Sequence, residues 1–275
     1  MKSQIFMDKS LAQRLERTEG AINASMVGTR AKLEPASGAA WTEVAGTYAM
    51  FDGAGSPMTQ SFGLGMQVEA TDEVLEELET FFRARGAAAH HETSPLAGVG
   101  LFAKLVARGY RPLELSTVLV QPLDEVFVEQ GAPAGAAAPR VRLVREGDRA
   151  RWIETMVRGW AQLPAYAAAI RGMATVSFAN SDMLKFIAEG PGGEPMATGG
   201  LALHGEVALL AGASTIPEHR SRGAQAVLLA ARLAYARARG CDVAMMVTEP
   251  GSTSQRNAER RGFRVAYTRT KWALG

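Results

Sequence analysis

Apolar and polar positions along the second half of the chain follow two periods. Residues 141–144 alternate and predict a strand. Trp152, Ile153, Met156, Val157 and Trp160 recur at helical spacing, with Asp148 placed to cap that helix. Residues 164–173 suit a second, short helix. Residues 183–189 and 195–203 read as strands joined by the turn Gly190-Pro191-Gly192-Gly193. A third strand spans 206–216 after His204-Gly205, with small residues in its middle. Residues 223–239 have helical spacing through Val227, Leu228, Ala231, Leu233 and Ala234, and Gly240 stops them. Arg232, Arg237 and Arg239 are placed on the solvated face. The apolar run 243–247 predicts a strand buried on both faces. A short helix at 254–261 and a strand at 263–274 close the chain. The order β-α-α-β-β-β-α-β-α-β, with one crossover through a long helix, predicts an α/β domain with a mixed sheet.

The first half repeats part of this order. Residues 11–22 read as an amphipathic helix packed in the domain. A helix from near Asp72 ends in Arg83-Ala84-Arg85-Gly86, as the long helix ends in Arg237-Ala238-Arg239-Gly240. Pro95 lies 9 residues beyond Gly86 and Pro250 lies 10 beyond Gly240, each shortly after a threonine, Thr93 or Thr248. Each proline is followed by a short helix. Gly109-Tyr110-Arg111 and Gly262-Phe263-Arg264 come next, and each leads into a long strand, 113–120 or 265–274. Matches in constant order predict an internal duplication.

Composition adds a division. The 275 residues carry a net charge of +2. Up to Pro139 there are 11 Lys+Arg against 17 Asp+Glu, a balance of −6; from Arg140 onward there are 19 against 11, a balance of +8. The stretch 131–139, GAPAGAAAP, has no charge or bulky side chain and reads as a linker. Two domains are therefore expected, 1–130 and 140–275, joined by 131–139. No run approaches a membrane span of about 18 apolar residues. Charge at Lys2, Asp8 and Lys9 leaves no signal-peptide core, so a cytoplasmic protein is expected. Cys241 is the only cysteine, which excludes a disulfide framework and a thiolate zinc cage. His90-His91-Glu92 is no metal motif, since neighbours on a strand point to opposite faces. Trp152 and Trp160 are expected in the core, and Cys241 as buried packing. The basic half lacks the aromatic-basic pattern of a nucleic-acid binder, so no nucleic-acid or membrane partner is expected.

The chemistry concentrates in Ser214-Thr215-Ile216-Pro217-Glu218-His219-Arg220-Ser221-Arg222-Gly223-Ala224-Gln225. A strand ends, two arginines follow, and a glycine opens a helix whose first N–H groups lack internal partners. Such a turn cradles a pyrophosphate. It lacks the Walker lysine and the three glycines of a dinucleotide site. Arg220-Ser221-Arg222-Gly223-Ala224-Gln225 resembles the arginine-x-x-glycine-x-glycine/alanine motif of the GNAT superfamily of N-acetyltransferases, and Gly262-Phe263 resembles that family's terminal glycine-phenylalanine. The resemblance covers the second half and implies two GNAT-like domains in tandem, each a mixed, mainly antiparallel sheet flanked by helices. It implies acetyl-CoA as cofactor, with coenzyme A as product, and a small-molecule or peptide amine as acceptor.

The resemblance further implies that backbone amides of Arg220, Ser221, Arg222, Gly223, Ala224 and Gln225 hold the pyrophosphate, and that Ser214, Thr215 and Ile216 pair with the pantetheine arm. An N–H near Ile216 is then the expected oxyanion donor. Ser254 and Asn257 stand where the family meets the coenzyme near its sulfur, and equally where helix caps stand. The family's tyrosine acid is replaced by Ala258. Tyr267 is the candidate acid and Glu206 the candidate base, each with an ordinary structural role as its alternative. The corresponding first-half stretch, 65–73, has no arginine and three carboxylates, Glu69, Asp72 and Glu73, which satisfy a helix dipole and repel phosphate. One coenzyme site is expected, not two. The rival function is a non-catalytic acyl-CoA-binding regulatory or scaffold protein. The acceptor and the oligomeric state stay open.

Overall fold

The computed structural model describes residues 5–123, 138–162 and 164–274. Most of the linker at 131–139 lies outside these. Compactness divides the chain differently from the expected boundary. A central unit runs Pro122–Ala244, and a terminal unit joins Gln4–Gln121 to Met245–Gly275.

The central unit is an antiparallel meander: β6 (Arg140–Leu143), β7 (Met183–Glu189), β8 (Pro195–His204) and β9 (Val207–Thr215), paired in that order. Helices α4 (Arg149–Gly159) and α5 (Ala167–Ala179) cover one face, where Trp152, Ile153, Met156, Ala174 and Phe178 pack on Ile187. Phe186, the preceding residue of β7, packs on Tyr235 of α6 (Ala224–Ala238). Successive strand residues face opposite sides, so α6 covers the other face. Trp152 is fully buried and donates its indole N–H to the Phe186 carbonyl at 3.1 Å. Asp148 does not cap α4 with its side chain. Its carboxylate turns back to the Arg145 N–H (2.9 Å) and the Arg142 guanidinium (2.7 and 2.9 Å), which hold it ionised.

Arg232 is buried, not solvated with Arg237 and Arg239 as expected. A Cβ on Gly199 would lie 2.9 Å from its guanidinium carbon, so this glycine of β8 makes the space. Its Nη1 donates to the Gly200 carbonyl at 3.0 Å, and burial lowers its pKa to about 10.

In the terminal unit, β1 (Ala40–Val44), β2 (Thr47–Phe51), β3 (Gln60–Phe62), β4 (His90–Thr93), β11 (Arg264–Leu274) and β5 (Tyr110–Pro122) pair in that order. Only β3 and β4 among these run parallel, joined by α2 (Asp72–Arg83). The long helix α1 (Lys9–Leu33) lies on the face of Tyr48 and Met50, and α2 and α3 (Val99–Ala107) on the face of Ala49. The strands that the repeat aligned, β5 and β11, are hydrogen-bonded to each other, Thr270 opposite Leu115. α7 (Thr253–Arg260) precedes β11, and β10 (Val243–Thr248) crosses from the central to the terminal unit.

Two polar networks are buried in the terminal unit. Arg269 of β11 lies among Glu16 and Glu19 of α1 and Glu92 of β4. On the other face His91 is held between the Ser61 hydroxyl at Nδ1 (2.6 Å) and the Tyr110 hydroxyl at Nε2 (2.9 Å). Burial pushes the His91 pKa down to about 3, so the ring is neutral.

Candidate functional site

β9 delivers the chain to the arginine turn. Ser214 is buried, and its hydroxyl lies 3.0 Å from that of Thr198. The glycine ending α4 permits this closeness, since a Cβ on Gly159 would stand 2.5 Å from the Ser214 side chain. Ile216 is fully buried and anchors the turn. Its N–H donates to the Met196 carbonyl at 3.0 Å. This donor is spent in the sheet, so the oxyanion donor expected near Ile216 is not the Ile216 N–H itself. Antiparallel pairs alternate, so the N–H and C=O of Thr215 point away from β8.

A single turn at Pro217–His219 leads to the exposed Arg220, Ser221 and Arg222. Ser221 has φ +61°, and Gly223, at the start of α6, has φ +80°. A residue with a Cβ is strained at that second position, and no side chain caps the helix there. Among the described residues, the N–H groups of Ser221, Arg222, Gly223, Ala224 and Gln225 donate to no backbone carbonyl. The helix start is thus a set of donors with the positive end of the dipole behind them. Arg220 is occupied elsewhere. Its Nη2 donates to the Gly159 carbonyl (3.2 Å) and Gln162 Oε1 (2.8 Å), tying the turn to the end of α4. Gln225 reaches back to the Ser214 carbonyl (3.0 Å) and the Thr215 hydroxyl (2.7 Å).

One further feature was visible only as small residues. Thr198 pairs with Ser214 and Gly200 with Ala211, so Gly212 and Ala213 together face Gly199. This is a β-bulge, with Gly212 at φ +60° and both of its residues exposed. A bulge takes a residue out of the ladder and leaves its backbone groups unpaired. The signal in the sequence was a glycine inside a strand.

Of the remaining candidates, Glu206 belongs to the central unit, and Tyr267, Ser254 and Asn257 belong to the terminal unit. Glu206 sits exposed between β8 and β9, nine residues from Thr215, which is roughly 30 Å along a strand. Tyr267 is buried on β11 of the terminal unit and donates to Glu16 Oε1 at 2.8 Å. Burial and the Glu16 carboxylate raise its pKa well above the usual value for tyrosine. Its hydroxyl is thus engaged within the terminal unit. Ser254 and Asn257 lie exposed on α7, three residues apart. Ser252 caps that helix, accepting from the Gln255 N–H, so Ser254 has no capping duty.

The corresponding helix start of the first half is built differently. Thr71 caps α2 by accepting from the Val74 N–H (3.4 Å), and Asp72 and Glu73 occupy the first turn. Arg108 pairs with Asp72, Glu76 and Glu79. Among the described residues no group of His, Cys, Asp and Glu side chains has the placement of a metal site, and no helix is long and apolar enough to cross a membrane.

A meander running into a glycine-started helix, after a first half that shares its order of elements from α5 onward, has the fold of tandem GNAT N-acetyltransferases. A tandem GNAT protein from the clavulanic acid biosynthesis pathway matches with a TM-score of 0.59 and 14% identity, over 83% of this chain and 78% of that one. A GCN5-related N-acetyltransferase from Kribbella flavida matches with a TM-score of 0.54 and 19% identity, over 91% of this chain and 95% of the other. Another from Sphaerobacter thermophilus matches at 0.54 and 16%, over 78% and 71%. No protein-family model and no curated protein matches the sequence. The likeness is one of fold.

Proposed function

We propose that this protein is an acetyl-CoA-dependent N-acetyltransferase with one coenzyme site, built on the turn from β9 to α6, acting on a primary amine. The observation that carries this is the open start of α6. Five consecutive amides without backbone acceptors, a left-handed Gly223 and the exposed Arg222 make a receptor for a diphosphate. The outward backbone pair of Thr215 suits the amides of the pantetheine arm, as an added strand would. The closed, acidic start of α2 supports a first half without a coenzyme site of its own. The buried free thiol of Cys241 fits a reducing compartment such as the cytoplasm.

In the transfer step, the lone pair of a neutral amine attacks the thioester carbonyl carbon. The carbonyl electrons move onto oxygen, and an N–H of the Gly212–Ala213 bulge is the proposed donor to that oxyanion. Collapse breaks the C–S bond, the amine loses a proton, and coenzyme A leaves as a thiol after taking one up. With Tyr267 engaged by Glu16 and alanine at position 258, water serves as the proton carrier on the donor side. The absence of a tyrosine acid favours a second reading, a non-catalytic acyl-CoA-binding regulatory or scaffold protein.

Calorimetry with acetyl-CoA, beside thiol release against a panel of amines, separates the two. Binding with turnover on at least one small-molecule or peptide amine is expected. Tight binding without turnover on any amine selects the second reading, and absence of binding removes both.

A further inference from the structure

Gln225 occupies a position where the GNAT motif carries glycine or alanine, and its side chain is placed for a definite task. Nε2 donates one hydrogen to the Ser214 carbonyl at 3.0 Å and the other to Thr215 Oγ1 at 2.7 Å. The reverse amide orientation would set Oε1 against a carbonyl oxygen, so the assignment of the two ends is determined by chemistry. The bonds run from the first turn of α6 to the end of β9, across ten or eleven residues of turn. They therefore join two surfaces: the amides at the start of α6, and Thr215, whose own N–H and C=O point away from β8.

We propose that Gln225 is a positioning residue that locks these two surfaces in register. This inference rests on the coenzyme reading above. A coenzyme A molecule engages the cradle through its diphosphate and the outward backbone groups of Thr215 through its pantetheine arm. When the two surfaces are held at a fixed spacing, the second contact costs little further ordering, as expected for a preorganised receptor. A ligand with the diphosphate alone engages only the cradle and gains nothing from the lock. Glycine or alanine at this position leaves the spacing to the turn itself. Here the turn carries a left-handed Ser221, and Arg220 is committed to α4, so the strand end has its own fastening.

The test uses the full chain with two probes, acetyl-CoA and ADP, titrated by calorimetry into wild type and Gln225→Met, which keeps the side-chain length and removes both donors. Gln225 is exposed, so the variant is expected to keep the wild-type thermal midpoint. Acetyl-CoA affinity should fall about three- to tenfold, the scale of one or two lost hydrogen bonds, while ADP affinity stays within about twofold. A purely structural role would weaken both probes alike. Equal weakening, unchanged acetyl-CoA affinity, or tighter acetyl-CoA binding would each overturn the proposal while leaving the coenzyme site standing. If wild type binds neither probe, the coenzyme reading fails first, and the role of Gln225 with it.

Discussion

Gly223 shows how much a single backbone angle decides. At φ +80° it opens α6 without a side chain over the first N–H groups. A β-carbon here brings left-handed strain of about 1–2 kcal/mol, and a carboxylate brings negative charge to the positive end of the helix. Gly223→Glu is therefore expected to abolish acetyl-CoA heat in calorimetry while the chain stays folded by circular dichroism. Gly223→Ala separates the two effects, keeping weakened but measurable binding. If the glutamate variant bound acetyl-CoA as wild type does, the diphosphate would have to sit elsewhere. This glycine was legible in sequence because the arginines before it and the helical spacing after it leave little else for it to be. Arg232 was not: its spacing on α6 places it with Arg237 and Arg239 on the solvated face, yet it is buried. What turns it inward is the room beside Gly199, on a strand 33 residues earlier, and no local pattern joins the two.

At the scale of elements, regular alternation and long helical periods were readable, while short or two-sided strands were not. The strands β7 and β8, the helix α6 and the run in β10 fall within one or two residues of their expected limits. β2 is buried at all five positions and β3 is three residues long, so neither shows a period, and both were missed. The polar face of α1 was equally opaque. Glu16 and Glu19 look like an ordinary solvated stripe, yet they meet Arg269 of β11, 250 residues onward for Glu19. Burial raises the Glu16 pKa from 4.5 to about 7, against the pull of Arg269 and the Tyr267 hydroxyl. Burial raises Glu19 as well. The folded state thus binds more protons than the unfolded chain between pH 4.5 and 7, so this contribution is complete below that window and is lost as pH rises through it. Glu16→Gln still accepts from Tyr267 and does not titrate. The thermal midpoint of the variant relative to wild type should therefore rise as pH goes from 5 to 8. A constant difference across that range would mean that Glu16 does not titrate there.

For the whole molecule, the decisive fact is where the end of the chain goes. The sequence order suggests that the strand after Gly262-Phe263 completes the half that contains the arginine motif. Instead β11 lies between β4 and β5, with Thr270 opposite Thr93 on one side and Leu115 on the other. Sequence periodicity reports which residues form a strand, and partners this distant leave no periodic trace. The register explains the side-chain chemistry of β11: Trp272 donates to the Thr93 hydroxyl at 3.0 Å on one face, while Arg269 enters the carboxylates under α1 on the other. Removing β11 leaves β4 and β5 without their shared neighbour, and the buried Glu16 and Glu92 and the part-buried Glu19 without their arginine, an uncompensated burial that is strongly destabilising. A chain truncated after Gly262 should consequently lose amide-exchange protection in α1, β4 and β5, regions at the far end of the sequence. The meander β6–β9 makes its ladder entirely within the central unit and should retain more of its protection. Hydrogen exchange read by mass spectrometry, peptide by peptide, distinguishes this from a chain of two sequential domains. In the sequential case the loss would fall in the central unit, and residues 90–122 would exchange as they do in the full-length protein.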